Sequence, residues 1–304
     1  MPDLLFREDA PLTNEEWAQI DQTVVAVARR LLVGRRFLDI FGPLGAGIQD
    51  VDYQVFGPIN RAVVSLMGDE VLNPITPMGR ANERLPMIYK DFLLFWRDLE
   101  TARRLGVPFD IGSAAAAAAF VANQEDALIF NGDQGLCLQG FLNANGIHAV
   151  DAGDWVEAGS AFRTVAAAVQ TLLADGFYPP YALAVNPVAY AQLQRVYACS
   201  GVLEIEHIRE LVQGGVYQTQ AIHNLPGVLL SLGPQNFDLA IGQDITTAYL
   251  GPDGLNHPFR VFETLALRIK RPQSICRLDG PPPDPRKIGG ETVRAEKKRQ
   301  RDNG

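Results

Sequence analysis

The stretch Phe109–Gly132, FDIGSAAAAAAFVANQEDALIFNG, constrains the fold more than any other part of the chain. Six consecutive alanines, Ala114 to Ala119, have the highest helix propensity of any residue type. Ser113 suits the N-cap, because its hydroxyl can accept from the orphan amides of a first turn. Phe120, Ala127 and Leu128 recur at about two-turn spacing near one face. Gly132 is placed to end the helix in the left-handed conformation. From Ser113 to Asn131 the helix would run roughly 28 Å at ~1.5 Å per residue. Its alanine half is thin, so a neighbouring element can approach closely. Leucine at Ala116 or Ala117 is therefore expected to damage folding or assembly.

A spine of this kind needs walls, and the chain has material for them. Its 304 residues are 47% hydrophobic, enough for one large domain or two modest ones. No run approaches the ~18–20 apolar residues of a membrane span, and MPDLLFREDAPLT lacks a signal-peptide layout. The formal net charge of −8 argues against a general nucleic-acid binder, which needs a basic footprint. Cys137, Cys199 and Cys276 are scattered and odd in number, a pattern of a reducing cytosol. Residues 281–304 hold seven Lys/Arg against four Asp/Glu, with prolines and few apolar side chains. They are expected to form a disordered basic tail.

Along the chain, Thr13 and Glu16 have capping-box spacing, and Leu12 and Trp17 that of a hydrophobic staple. They open a helix with the stripe Trp17, Ile20, Val24, Val27 with Ala28, and Leu31, ending near Gly34. Phe37–Phe41 suggests a short strand broken by a Gly-Pro cluster. Gly42, Gly45 and Gly47 lack the strand-then-helix frame of a phosphate loop. Residues 48–90 carry strand-like runs at each end, Ile48–Val55 and Leu85–Tyr89, with about thirty Gly-, Pro-, Asn- and Met-containing residues between them. A two-stranded arm fits, and an isolated hairpin is marginal in water, so it must lie on something, such as another subunit. Lys90–Gly106 passes from an apolar run into a polar helix. Further helices are expected at Asp154–Ala174, from Pro187, and at Val202–Gly215. Strands are expected at Tyr181–Val185, Val228–Leu232, Phe237–Ile241 and Phe259–Ile269. This order, without a βαβ repeat, predicts an α+β fold.

Reaction centres are hard to find. Glu204-x-x-His207 has the spacing of a di-iron helix, but such a site needs a second motif and two more carboxylates. The other histidines, His148, His223 and His257, provide no match. Glu204, Glu206 and Glu210 read as a solvated helix face. Nothing orients Cys199 or His223 for nucleophilic chemistry, and no G-x-S-x-G elbow occurs. Trp96 beside Phe95 reads as packing. The residues describe a subunit with a core, an arm it cannot stabilise alone and no catalyst.

Four stretches carry a family resemblance: APLTNEEWAQID (10–21), LVGRRFLDIFGPLGAG (32–47), NQEDALIFNG (123–132) and FRVFETLALRIKRPQSIC (259–276). The chain resembles the family 1 encapsulin shell proteins from about residue 4 to residue 279. VLEIEHIRELVQGGVYQ and LNHPFRVFE resemble the branch with ferritin-like cargo and iron storage. The resemblance implies an HK97 phage-capsid fold: an N-terminal helix and inner-wall segment (1–47), an extended loop (48–90), a peripheral domain (91–153 and 251–280) and an axial domain (154–250). It implies a non-enzymatic, cytoplasmic shell subunit that forms a closed icosahedral homo-oligomer. The shell would enclose a cargo protein, a ferritin-like iron oxidase, through a C-terminal targeting peptide, without membrane or nucleic-acid partners. By motif, the peptide would meet Leu31, Arg35, Phe37 and Asp39, together with Gln243, Asp244 and Ile245 of GQDITTAY. An apolar groove would take its aliphatic anchors, while Arg35 and Asp39 fix its orientation by charge; the plainer role for Arg35 and Asp39 is an i, i+4 pair holding a turn. Some members bind flavin through a tryptophan at the end of the extended loop; Trp96 is one position away, with Arg97 in its place, so the shell is expected to carry no cofactor of its own. The segment around HIRE falls where the family lines its five-fold pore, so Glu204 or Glu206 could draw in Fe²⁺. The alternative is a major capsid protein of an HK97-like phage enclosing DNA.

Overall fold

Thr13 starts the first helix as its sequence requires. Its Oγ1 accepts from the Glu16 amide at 3.2 Å, and Glu16 Oε2 accepts from the Thr13 amide at 2.7 Å, a complete capping box. Helix α1 (Asn14–Leu31) buries Trp17, Ile20, Val24 and Ala28 along one stripe. The computed structural model describes residues 4–57, 62, 64, 66–67, 74–197 and 201–280. The expected basic tail, Cys199 and much of the interior of the extended loop lie outside the described residues.

The chain divides into two units. As far as they are described, the first takes Met1–Val55, Met78–Gly140 and Phe237–Lys270, and the second Phe56–Pro77, Phe141–Asn236 and Arg271–Gly304. These units differ in extent from the expected domains. Residues 237–250 belong with the first unit because they form a long strand at the centre of its sheet. Residues 141–153 and 271–280 belong with the second, where they supply two paired strands.

The first unit contains β1 (Ile40–Phe41), β2 (Asp50–Val55), β3 (Gly79–Arg84), β4 (Met87–Leu94), α2 (Trp96–Leu105) and α3 (Gly112–Asn131). Its sheet has the order β1-β9-β10-β4, with β9 at Phe237–Tyr249 and β10 at His257–Ile269. β1 runs parallel to β9, and the other pairings are antiparallel. Fully buried Phe259 centres the packing, with its ring 5.6 Å from Trp17, 5.4 Å from Phe92 and 5.2 Å from Tyr249.

α3 is the expected spine. It packs on α1 and across β4 and β10. Ala114, Ala117, Ala118, Val121 and Ala122 are buried, so its small side is the contact side. Four details differ. The cap residue is Ile111, not Ser113, and Asp110 Oδ1 instead accepts from the Gly112 amide at 2.8 Å. Phe120 is 60% exposed, because at ~100° per residue it lies about 200° from buried Ala118. Ala116 is exposed too, so only Ala117 of the two singled-out alanines is in contact. Gly132 has φ 65° but ψ −164°, outside the left-handed helical region; a Cβ there would collide with the Leu138 carbonyl.

The arm is a two-stranded ribbon of β2 and β3. Its return strand is Gly79–Arg84 rather than Leu85–Tyr89, because Met87–Leu94 is taken up as the edge of the four-stranded sheet. Val64, Leu66, Ile75 and Met78 are strongly exposed.

The second unit has a five-stranded sheet of order β5-β11-β8-β6-β7. These strands are His148–Asp151, Ile275–Asp279, Gly227–Ser231, Tyr181–Val185 and Gln213–Gln218, respectively. α4 (Ser160–Ala174), α5 (Pro187–Leu193) and α6 (Glu204–Val212) contribute to its core, around Trp155, Leu172, Tyr181, Leu193 and Ile205. The expected helix over Val202–Gly215 is shorter, since Gln213 turns the chain at φ 51° into β7.

Candidate functional site

The turn after α1 builds the site. Residues Gly34–Arg36 form a 3₁₀ turn. The Asp126 carboxylate on α3 accepts from the Val33 amide at 2.9 Å and from the Gly34 amide at 2.9 Å. A Cβ on Gly34 would stand 2.7 Å from Ile129 Cδ1, so glycine permits this close seating. Burial lifts the Asp126 carboxyl to about 6 despite the two amides that oppose the rise.

Arg35 is thereby aimed at carboxylates on three elements. Its Nε donates to Glu125 Oε1 at 2.8 Å and its Nη2 to Glu125 Oε2 at 2.8 Å. Nη2 also donates to Glu263 Oε2 at 2.6 Å, and Nη1 to Asp244 Oδ1 at 2.6 Å. Glu125 and Glu263 are fully buried, whereas the Asp244 side chain is 58% exposed. Burial opposes the charge on Arg35, but Glu125 and Glu263 outweigh it and hold the guanidinium more firmly protonated than usual. The possible Arg35–Asp39 pair gives way to this hub; Asp39 is exposed, and its carbonyl accepts from the Leu239 amide at 2.9 Å.

Four of the seven docking residues come together. Leu31 and Ile245 pack against buried Ala28, Leu32 and Ala122, next to the Arg35–Asp244 pair. Gln243 adjoins them, with its amide donating to Thr264 Oγ1 at 2.8 Å. Phe37 is turned inward, 6.4 Å from Phe130, and presents no docking surface. Sequence reasoning missed Glu125, Asp126 and Glu263. The signal was there: acids at core positions of an apolar helix, and one acid inside FRVFETLALRI. It also missed an apolar cavity of about 580 Å³ lined by Leu4, Phe6, Met87, Leu250 and Phe262, with Arg260 as its cation.

The pore candidates separate. Glu204 is fully buried, and its Oε1 accepts from the Phe162 amide at 2.9 Å in the first turn of α4. A carboxylate satisfying a helix N-terminus cannot face a channel or belong to a solvated face, so Glu204 is withdrawn. Glu206 stays exposed and pairs with Arg209 at 2.5 Å. His207 stacks edge-on with Tyr197 at 4.9 Å. Among the described residues, no group of three or more His, Cys, Asp or Glu could hold a metal. Trp96 is 38% exposed at the first position of α2, with the Arg97 guanidinium 5.7 Å from its ring, so it is not core packing. No described helix is long and apolar enough to cross a membrane.

Comparison with known proteins agrees with this architecture. The family model described as "Encapsulating protein for peroxidase" matches residues 2–266. The type 1 encapsulin shell protein EncA of Myxococcus xanthus is 48% identical over 280 residues, covering 92% of this chain and 98% of that protein. A diheme-cytochrome-encapsulin shell fusion protein of Kuenenia stuttgartiensis is 40% identical, over 88% of this chain and 74% of its own length. A ferritin-like-encapsulin shell fusion protein of Pyrococcus furiosus is 27% identical, over 64% and 52%. The crystal structure of a virus-like particle from Pyrococcus furiosus superposes with a TM-score of 0.71 at 21% identity, covering 88% of this chain and 99% of that one. With the phage capsids that also match, it shows the HK97-like fold. The chain belongs to the type 1 encapsulin family of shell proteins.

Proposed function

We propose that this chain is the subunit of a closed icosahedral cage in the cytoplasm, and that the cage packages a ferritin-like protein for iron oxidation and storage. The observation that carries the shell reading is the 48% identity to an encapsulin shell protein over 92% of the chain. The arm supports it: a two-stranded ribbon is marginal alone, and Val64, Leu66, Ile75 and Met78 in the segment between its strands are exposed apolar side chains for a neighbour to cover. The cargo reading is supported by the sequence likeness to the iron-storage branch and by a relative whose own chain is a ferritin-like fusion. Redox chemistry belongs to the enclosed protein, and the shell supplies enclosure and entry. Exposed Glu206, repeated around an assembled pore, would concentrate Fe²⁺ there.

Docking rests on Leu31 and Ile245 as an apolar seat for aliphatic anchors. Arg35 is already engaged with three carboxylates. The charges left for cargo are therefore Asp39 and the exposed part of Asp244, which suit a cationic tail. Co-expression with a ferritin-like protein, with and without its C-terminal peptide, tests this. Cargo should co-purify only when it carries the peptide, and Leu31→Asp should abolish retention while particles still form. Equal retention without the peptide would overturn the docking reading.

A further inference from the structure

Two fully buried carboxylates, Glu125 and Glu263, face a single guanidinium. Arg35 can neutralise one of them. Asp244 draws on the same cation but keeps its own contact with water. An uncompensated second charge in this interior would be costly, and like-charged carboxylates sharing a site resolve that cost by retaining a proton. The hydrogen-bond pattern marks where it sits. Glu263 Oε2 accepts from Arg35, while Glu263 Oε1 is buried and has no donor among the described residues. That is the atom able to carry a hydroxyl proton and donate toward Glu125.

The surroundings leave few other candidates. Facing Glu263 are Arg35 from the 3₁₀ turn, Glu125 from α3 and Asp244 from β9. In register on β4 stands uncharged Ile88. Asp126 and Arg36 complete the charged set one step further out, and Asp126 is occupied by the Val33 and Gly34 amides. We propose that Glu125 and Glu263 hold one proton between them beneath Arg35, and that this proton locks the 33–37 turn and strand β10 onto the spine helix α3. The inference is independent of where cargo docks.

The sign follows from linkage. Burial pushes the Glu263 carboxyl well above its ordinary range, with Glu125 adding to the rise. Above the ordinary carboxylate range the folded chain holds this proton where the unfolded chain has released it. Raising the pH therefore favours unfolding until the pair itself ionises, while acidification toward the ordinary carboxylate range favours the fold. Stability is therefore lost as the pH rises above the ordinary carboxylate range, not as it falls.

Isotope-edited infrared spectroscopy of the glutamate carboxyls in purified particles tests the proposal. At neutral pH the wild type should show one protonated, buried glutamic acid per chain, and Glu263→Gln should lose that signal. Glu263→Gln keeps a donor toward Glu125 without a titratable proton, so its thermal midpoint should fall less than that of the wild type as pH rises above the ordinary carboxylate range. Should Glu263→Gln fail to assemble, Glu125→Gln makes the same prediction. No protonated glutamate in the wild type, or an equal loss with rising pH in a variant that folds, would overturn the lock.

Discussion

Arg35 and Arg195 each approach a buried glutamate, and the two regions accommodate it in opposite ways. In the first unit, Arg35 ties together the α1 turn, α3, β9 and β10 through Glu125, Asp244 and Glu263, residues 90 to 228 positions away in sequence. Carboxylates outnumber the cation, so a proton must make up the balance. In the second unit, Arg195 donates to the carbonyls of Trp155 and Val156 and lies 3.8 Å from Glu204. Glu204 is satisfied mainly by the Phe162 amide at the start of α4. One region uses its acids to join distant elements, the other to finish a single helix. The number of elements joined, not burial as such, sets how much each site matters.

The largest effect should come from Arg35→Ala, which leaves Glu125 and Glu263 unpaired in the core. A loss of about 3–5 kcal/mol is expected, enough to prevent assembly. Arg35→Lys should not rescue it, since a point charge cannot bridge three carboxylates. Chemical denaturation of the refolded subunit measures both. If Arg195→Ala, which removes a part-buried contact to the carbonyls of residues 155–157, cost as much, the contrast would fail. Next is the spine that carries Glu125. Ala117→Leu should cost about 1–3 kcal/mol by overpacking, whereas exposed Ala116→Leu should leave subunit stability within about 0.5 kcal/mol. Equal effects would mean the thin side is not the contact side. Glu204→Ala removes one helix-terminal acceptor and should cost about 1 kcal/mol, seen as a lower thermal midpoint. Smallest is Glu206→Gln, an exposed ion pair whose loss should change stability by less than about 1 kcal/mol. Its expected effect is slower iron uptake by loaded particles; unchanged uptake would remove Glu206 from the pore reading.

Local chemistry was readable in advance. The Thr13–Glu16 box fixes the start of α1 from residues three apart, and Tyr181–Val185 is a strand as its apolar run requires. Ser113 misled because Asp110 satisfies the first turn from outside the helix. The arm was legible, but its return strand was not, since the sheet competes for Met87–Leu94. Leu31, Arg35, Asp244 and Ile245 came from motif likeness and do meet. Nothing in the spacing of Arg35 could show that Glu125 and Glu263 would claim it, because the fold alone brings residues 90 and 228 positions apart together. Glu204 shows the same limit: an acid in a polar-looking helix turned inward because another helix start needed an acceptor.

Cryo-electron microscopy of the purified full-length protein, with nucleic-acid content measured on the same sample, tests the shell reading most directly. Closed, hollow, icosahedral particles that hold no DNA and fill with a ferritin-like protein on co-expression are expected. Small open oligomers, or particles packed with DNA, would contradict it.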